Sequence, residues 1–214
     1  MQVVIVKMFY DEMHTALVRP RDSMEVHVPK QTRQQMIDGT AHLLARGGLQ
    51  QTSFATVLEH TGAPRGSIYH HFPEGKDQLV SEAVAASGAR SLAMIQQWRG
   101  DTADVIAQKF LAAWRLLLTA TNFSAGCAVL AVTTATDSAE VLNDTADVFR
   151  SWRQELASLL TEGGLSPERA PGVAATLIAA AEGAVVMSRA EQNIEPFDLV
   201  ADEVLARIAL LGAS

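Results

Sequence analysis

The sequence has few of the residues that build cross-linked, fibrous or membrane-embedded proteins. One cysteine, Cys127, among 214 residues excludes an internal disulfide framework and a four-cysteine zinc site. Seven prolines and 14 glycines are too few for a fibrous or low-complexity chain. No uninterrupted apolar run reaches about 18 residues, so we expect no membrane span. Because 48% of the residues are hydrophobic and 19% are charged, the composition indicates a globular protein, and the lone cysteine suits a reducing cytoplasm.

Motifs of the common enzyme classes are also missing. The sequence contains no Gly-x-Gly-x-x-Gly, no Walker-type loop and no His-Glu-x-x-His. The neighbours His70 and His71 would point about 100° apart on a helix, and no third ligand is near them in the sequence. We therefore expect no catalytic residue, no metal and no cofactor, and a protein that is not an enzyme.

The net charge of −7 is distributed unevenly along the chain. Residues 30–80 carry five basic and four acidic side chains and four histidines, which gives a net charge of +1. Residues 81–214 carry nine basic and 16 acidic side chains, which gives −7. This pattern is typical of a small nucleic-acid-binding head joined to an acidic body that does not bind nucleic acid.

Helical periodicity runs through most of the chain and alternating strand patterns are scarce, so we predict an all-α fold. Residues 1–28 lack a clear period and are expected to be a disordered or wrongly annotated extension, or else a DNA-contacting arm. Residues 29–80 form the expected head, and residues 81–214 the expected effector-binding and dimerisation body. The predicted helices cover residues 32–46, 54–61, 65–72, 76–98, 101–120, 138–162 and 196–211. A short helix is also predicted after Gly126. Another begins at Ser166-Pro167, or later because of Pro171.

The helices at 54–61 and 65–72, joined by Gly-Ala-Pro at 62–64, predict a helix-turn-helix. Ile68 and Phe72 are spaced i, i+4 and are expected to form the buried side of the second helix. The other positions carry hydrogen-bond donors that can reach base edges or phosphate oxygens, namely Arg65, Ser67, Tyr69, His70 and His71.

Residues 62–72 read Gly-Ala-Pro-Arg-Gly-Ser-Ile-Tyr-His-His-Phe and are followed by Lys76 and Leu79. This stretch resembles the TetR/AcrR family of bacterial transcription regulators. The motif covers residues 30–80, and the rest of the chain is similar by architecture only. The Pro-Glu-Gly spacing at 73–75 is one residue longer than the common family form. Together with Gly-Cys-Ala at 126–128, it resembles the LmrA/YxaF branch.

The resemblance implies a homodimer whose head binds double-stranded operator DNA. Tyr69 would bind a phosphate, and Lys76 would hold another with the help of the helix N-terminus. Arg65 is the best candidate for a guanine contact, because its fork matches two acceptors. His70 contacts either a base or the backbone, and Tyr69 has the alternative of a half-buried core ring. The expected DNA contacts are Arg65, Ser67, Tyr69, His70, His71 and Lys76.

The body concentrates large apolar side chains in one stretch. Four of the 12 aromatic residues lie between residues 98 and 123, and such rings supply flat apolar walls. The resemblance implies that some of them line a cavity for a small apolar or aromatic effector, whereas the plain alternative is core packing. The expected effector-binding residues are Met94, Trp98, Phe110, Trp114, Phe123 and Cys127.

Two further residues of the body have alternative interpretations. Cys127 is either a redox or electrophile sensor or a small buried hydrophobic residue. Glu182, inside the apolar run 179–186, either meets a cationic ligand or lies at the dimer edge.

The helix at 138–162 has one apolar stripe, and the helix that follows is rich in small residues that let backbones approach closely. Two such helices per subunit predict a four-helix interface about a two-fold axis. The alternative is that the stripe packs only within its own chain. The expected interface residues are Val141, Val148, Trp152, Leu156, Leu159, Ala181 and Ala184.

These expectations combine into one predicted function, a ligand-responsive DNA-binding repressor that leaves its operator when an effector binds. A helical enzyme is disfavoured because no nucleophile–base pair or metal set is present. A dimeric adaptor that has lost DNA binding is disfavoured by the intact string from Arg65 to Lys76.

Overall fold

A computed structural model of the protein describes residues 29–212, and all regular structure within that range is helical, as the sequence predicts. The predicted extension at residues 1–28 lies outside the described residues. The helices are α1 (Pro29–Gln51), α2 (Phe54–Thr61), α3 (Ser67–His71), α4 (Lys76–Gln96), α5 (Ala103–Ala120), α6 (Ala128–Thr133), α7 (Ala139–Glu162), α8 (Ala170–Glu191) and α9 (Glu195–Gly212).

Most helix bounds lie within three residues of the predicted ones. At Gly48, where the sequence predicts the end of the first helix, the backbone leaves the helical region with φ 70° and ψ −175°, so α1 consists of two helical pieces joined at a kink. The recognition helix α3 begins at Ser67, two residues late, since the Ser67 N–H donates to the Pro64 carbonyl across a turn (3.0 Å). Helix α8 begins at Ala170, the later start that Pro171 predicts, and Pro171 lies in its first turn, where no N–H is needed.

Helices α1, α2 and α3 enclose a small core that continues into the body. Met36, Leu44 and Val57 are fully buried, and so are Ile68 and Phe72, as their spacing predicts. Helix α4 packs against α1, and the buried residues of head and body form one continuous cluster. The head therefore packs directly against α4.

In the body, α7 packs between α4 and α8, while α9 packs against α5 and α8. The closest approach is at Gly88 on α4, where a Cβ atom would lie 2.7 Å from both methyl groups of Val148 on α7. Arg115 on α5 holds α9 with two hydrogen bonds to the Asp198 carboxylate, at 2.8 and 3.0 Å. Helix α8 itself packs against α5, α7 and α9.

Helix α8 is apolar on both its buried and its exposed sides. By length and composition alone it could cross a membrane, although 44% of its most apolar window is buried inside the protein. Glu182 and Ser188 interrupt its apolar sequence, so it contains no continuous apolar run long enough to span a membrane. A helix that is apolar all round is normally covered on all sides, so its exposed side needs an explanation.

Candidate functional site

A tight turn positions the recognition helix α3 against α2. Gly62 ends α2 in the left-handed conformation, with φ 67° and ψ 13°, and its N–H donates to the Leu58 carbonyl at 2.9 Å. At the other end of α2, Ser53 and Thr56 form a reciprocal capping box. Both ends of α2 are therefore defined by local hydrogen bonds, which holds the helix-turn-helix rigidly.

The surface of α3 carries the predicted donors. Ile68 and Phe72 point into the core, so Arg65, Tyr69 and His70 are left exposed. Tyr69 is 69% exposed, and its ring meets Phe54 edge-to-face at 5.5 Å between centroids. Tyr69 is therefore not the half-buried core ring of the alternative interpretation.

Ser67 and His71 are more enclosed than Arg65, Tyr69 and His70. The Ser67 hydroxyl donates to the Pro64 carbonyl at 2.6 Å, so its proton is engaged in starting α3. Burial lowers the pKa of His71, and the nearby His70 and Arg33 lower it further. A neutral His71 ring offers DNA one donor and one acceptor and no positive charge.

Lys76 has a structural partner that the sequence did not predict. Its ammonium donates to the Leu49 carbonyl at the end of α1, at 3.0 Å. An ammonium has three donors, so two remain for a phosphate at this half-buried position. Lys76 thus links the start of α4 to the end of α1.

Arg33 on α1 is a second residue that sequence reasoning missed. Its guanidinium lies 5.2 Å from the centre of the Phe72 ring and 2.5 Å from the Glu82 carboxylate on α4. A second ion pair, from Arg90 to Asp38 at 2.7 Å, joins the same two helices. Because the two residues of each ion pair lie far apart in the chain, no short sequence pattern predicts these contacts.

The residues predicted to bind an effector lie in or against the core. Trp98 and Phe110 are buried and meet edge-to-face at 6.4 Å between ring centroids. Cys127 is buried, and the other three pack half-buried against the core. None of the six lines either of the two pockets described below. Their role in effector binding stays a prediction.

An open pocket of about 560 Å³ lies among α6, α7 and α8. Its walls are apolar apart from Arg153 on α7, which is exposed, and Glu182 on α8. The apolar wall consists of Leu130, Phe149, Ala175, Ile178, Ala179, Gly183 and Val186. A second open pocket, of about 520 Å³ between α4 and α7, carries the acidic side chains Glu82, Asp144 and Asp147.

Glu182 is the electrostatically unusual residue of the first pocket. The residue is 6% exposed, and neither carboxylate oxygen has a hydrogen-bond partner among the described residues. Burial raises the pKa of Glu182 to about 7, against a smaller lowering by the contact with the Cys127 thiol. The pKa of Cys127 lies well above its usual range, first through burial and then through the charge of Glu182. A protonated thiol favours the small-hydrophobe interpretation of Cys127 over a reactive thiolate.

All seven residues predicted at the dimer interface are buried within their own chain. Trp152, for example, donates its indole N–H to the Gly88 carbonyl at 3.0 Å and contacts the Phe149 ring edge-to-face at 5.6 Å. The stripe on α7 therefore packs internally, which is the alternative that the sequence left open. These seven buried residues are Val141, Val148, Trp152, Leu156, Leu159, Ala181 and Ala184.

The exposed apolar residues of α8 lie on its other side. Ala179, Gly183, Val186, Met187 and Ala190 are exposed and recur at spacings of three and four residues. We call these five residues the α8 outer stripe.

Among the residues of 29–212, no group of three or more His, Cys, Asp or Glu could hold a metal ion.

Comparisons with known proteins agree with this arrangement. The family model for bacterial regulatory proteins of the tetR family matches residues 36–83. The model described as transcriptional regulator LmrA/YxaF-like, C-terminal domain, matches residues 105–203.

Individual proteins match over most of their length. An uncharacterized HTH-type transcriptional regulator of Mycobacterium tuberculosis is 34% identical over 177 residues, covering 78% of this chain and 89% of that protein. The uncharacterized HTH-type transcriptional regulator YxaF of Bacillus subtilis is 28% identical, covering 81% and 93%. The crystal structure of regulatory protein TetR from Rhodobacter sphaeroides matches with a TM-score of 0.73 at 20% identity, covering 82% of this chain and 97% of that one.

Proposed function

Because the chain belongs to the TetR family of bacterial transcriptional regulators, we propose that it is a repressor that leaves its operator when a small molecule binds its body. Membership confirms the resemblance seen at residues 62–79 and 126–128. The protein is accordingly a DNA-binding regulator and not an enzyme, and the cytoplasm is its proposed location. The observation that carries this proposal is the exposed set Arg65, Tyr69 and His70 on a short helix held by a rigid core.

The direct test is binding of the purified full-length protein to the promoter regions of its own gene and the neighbouring gene. A gel-shift at physiological salt is expected to reveal one specific site, because affinity measured at low salt would be dominated by phosphate contacts. Deleting the gene is expected to raise transcription from that promoter. Lowered transcription would instead identify an activator and contradict the proposed repression.

Arg65→Ala is expected to weaken specific operator binding by about 1–3 kcal/mol and to relax the preference at one base position. Arg65 lies in the turn before α3 and its side chain is exposed, so it contributes nothing to the core. Fluorescence anisotropy with the operator and with single-base variants measures both effects. The control is Arg169→Ala, which removes an exposed arginine from the body. Equal loss in both variants would contradict a base contact by Arg65.

We propose that the protein dimerises through the α8 outer stripe. Two recognition helices must reach half-sites about 34–36 Å apart, which requires a second copy related by a two-fold axis. The stripe is apolar and contains glycine and alanine, so two α8 helices can approach closely. A partner helix would also cover the exposed side of α8, which explains why this helix is apolar all round.

Helix α8 provides a route from the body to the head. Arg189, near its C-terminal end, donates to the Arg46 carbonyl at 3.0 Å and to the Ser124 carbonyl at 3.4 Å. The Gly126 N–H donates to the Ala45 carbonyl at 2.8 Å. We propose that a shift of α8 reaches the end of α1 through these bonds.

Arg189→Ala is expected to loosen the end of α1, because carbonyls there lose a charged donor. A bond of this kind at the surface contributes about 0.5–1.5 kcal/mol, so amide exchange at residues 46–50 should rise by about 2–10-fold. Hydrogen exchange followed by mass spectrometry measures this change, with Arg169→Ala as the matched control. Unchanged exchange in both variants would contradict the proposed link between α8 and the head.

A further inference from the structure

We propose that Arg33 on α1 is a positioning residue for operator binding: its guanidinium fixes the chain that follows α3, so that the exposed donors of α3 meet the base edges in one orientation. Arg33 acts through Phe72 and Glu82 and does not itself contact DNA. The proposal rests on operator binding by the head, and it does not depend on repression or on release by an effector.

The recognition helix is too short to hold its own direction. Helix α3 has five residues, Ser67–His71, and an isolated helix of this length is not stable in water. At its end, Phe72 is completely buried and donates its N–H to the Ile68 carbonyl at 2.9 Å. Specific recognition requires donors held within about 0.5 Å and 10–20° of the productive geometry. The direction of α3 therefore depends on the contacts that hold Phe72 and the chain after it.

Arg33 lies over the ring that ends the recognition helix. The central carbon of its guanidinium is 5.2 Å from the centre of the Phe72 ring, within the distance of about 6 Å for a cation–π contact. Phe72 has no exposed area, so the core covers the rest of its ring. Phe72 is thus held between the core and a cation that α1 supplies.

A series of hydrogen bonds extends from Arg33 to the loop at residues 73–75. The guanidinium donates to the Glu82 carboxylate at 2.5 Å, and the Gln78 side-chain amide donates to the same oxygen at 3.2 Å. The Gln78 side-chain oxygen accepts the Glu74 backbone N–H at 3.2 Å. We call Arg33, Phe72, Glu74, Gln78 and Glu82 the Arg33 network. It holds the chain after α3 at two points, the Phe72 ring and the Glu74 backbone.

A neighbouring ion pair shows what is specific to Arg33. Arg90 pairs with Asp38 at 2.7 Å and joins the same two helices, α1 and α4. An exposed pair of that kind contributes little to stability by itself. The Arg33 pair differs because its cation also lies over Phe72, at the end of the recognition helix. Since the Glu82 carboxylate balances its charge, Arg33 adds little attraction for phosphate.

The test compares Arg33→Ala and Arg33→Lys with Arg90→Ala, the matched control from the neighbouring ion pair. Anisotropy is measured with the operator duplex found by gel-shift and with a scrambled duplex of the same length, over a range of salt concentrations. Arg33→Ala is expected to lower operator affinity by about 5–30-fold, while affinity for the scrambled duplex and the salt slope stay unchanged. Arg33→Lys keeps a cation in the Arg33 network, so it is expected to recover most of the loss. Arg90→Ala is expected to bind both duplexes as the wild type does.

A double-mutant cycle tests whether Arg33 acts through Glu82. Glu82→Gln removes the negative charge and is expected to lower the ratio of operator affinity to scrambled-duplex affinity by about 2–10-fold. The same substitution is expected to cost less in the Arg33→Ala background, because the contact that it breaks is already lost. Equal losses in both backgrounds would show that the two residues act independently and would overturn the proposal.

Hydrogen exchange gives a readout that needs no DNA. Loss of the cation–π contact and of the ion pair is expected to raise amide exchange over residues 67–75 by about 3–10-fold in Arg33→Ala. In Arg90→Ala the same segment should exchange as in the wild type, and thermal melting verifies that both variants are folded. Unchanged exchange in Arg33→Ala would show that the Arg33 network does not fix α3.

The remaining outcomes separate this inference from the proposed function. If Arg33→Ala loses affinity equally for both duplexes and its salt slope falls by about one unit, Arg33 is a phosphate contact and its positioning role is overturned. Operator binding at wild-type strength in Arg33→Ala would also overturn that role, and the regulator function would stand without it. A wild-type protein with no specific site on DNA would instead contradict the proposed function itself.

Discussion

Replacing Gly183 with glutamate is expected to give a monomeric protein whose operator affinity is lower by about 10²–10⁴-fold, the gain that linking two binding modules provides. Gly183 lies at the centre of the α8 outer stripe, and among the described residues no atom outside its own stretch of helix lies within 4 Å of the position where a Cβ would stand. The chain's own fold therefore has room for the new side chain. A glutamate in a close helix–helix interface, however, would bury two like charges across the two-fold axis.

Sedimentation equilibrium measures the loss of the dimer, and anisotropy with a full operator measures the loss of DNA affinity. Ala112→Glu places the same charge on an exposed position of α5 and serves as the control, with no expected effect on either measurement. Thermal melting verifies that both variants are folded. A Gly183→Glu protein that remains a dimer and binds its operator normally would locate the two-fold interface elsewhere.

Trp152→Ala is expected to lower the free energy of unfolding by about 3–5 kcal/mol, the range for removing a large aromatic side chain from a core. Trp152 is 4% exposed and joins α7 to α4 through its bond to the Gly88 carbonyl. Because Gly88 and Val148 are already in close contact, α4 and α7 cannot move closer together to fill the space left by the indole. The cavity therefore persists, and the lost contacts are not replaced.

Urea unfolding followed by circular dichroism measures this change. Trp152→Phe keeps an aromatic ring but has no N–H to donate, so it is expected to lose less stability than the alanine variant. A soluble and folded Trp152→Ala protein within about 1 kcal/mol of the wild type would contradict the structural role of Trp152.

The sequence by itself determined the helix-turn-helix. The bounds of α2, the buried pair Ile68 and Phe72, and the exposed donors on α3 all follow from interactions among residues fewer than five positions apart. Capping by Ser53 and the left-handed turn at Gly62 are local in the same sense. The motif built on these residues also identified the family, because operator binding restricts which side chains can stand at each exposed position.

Tertiary structure alone decided which partner each buried residue has. The apolar stripe of α7 predicts that this side of the helix is buried. The same periodic pattern results whether the stripe is buried by the same chain or by a second subunit. Lys76 bonds to a carbonyl 27 residues away, and Glu182 lacks a partner only because of how α6, α7 and α8 pack. Such contacts depend on the relative placement of whole helices, which no short-range pattern encodes.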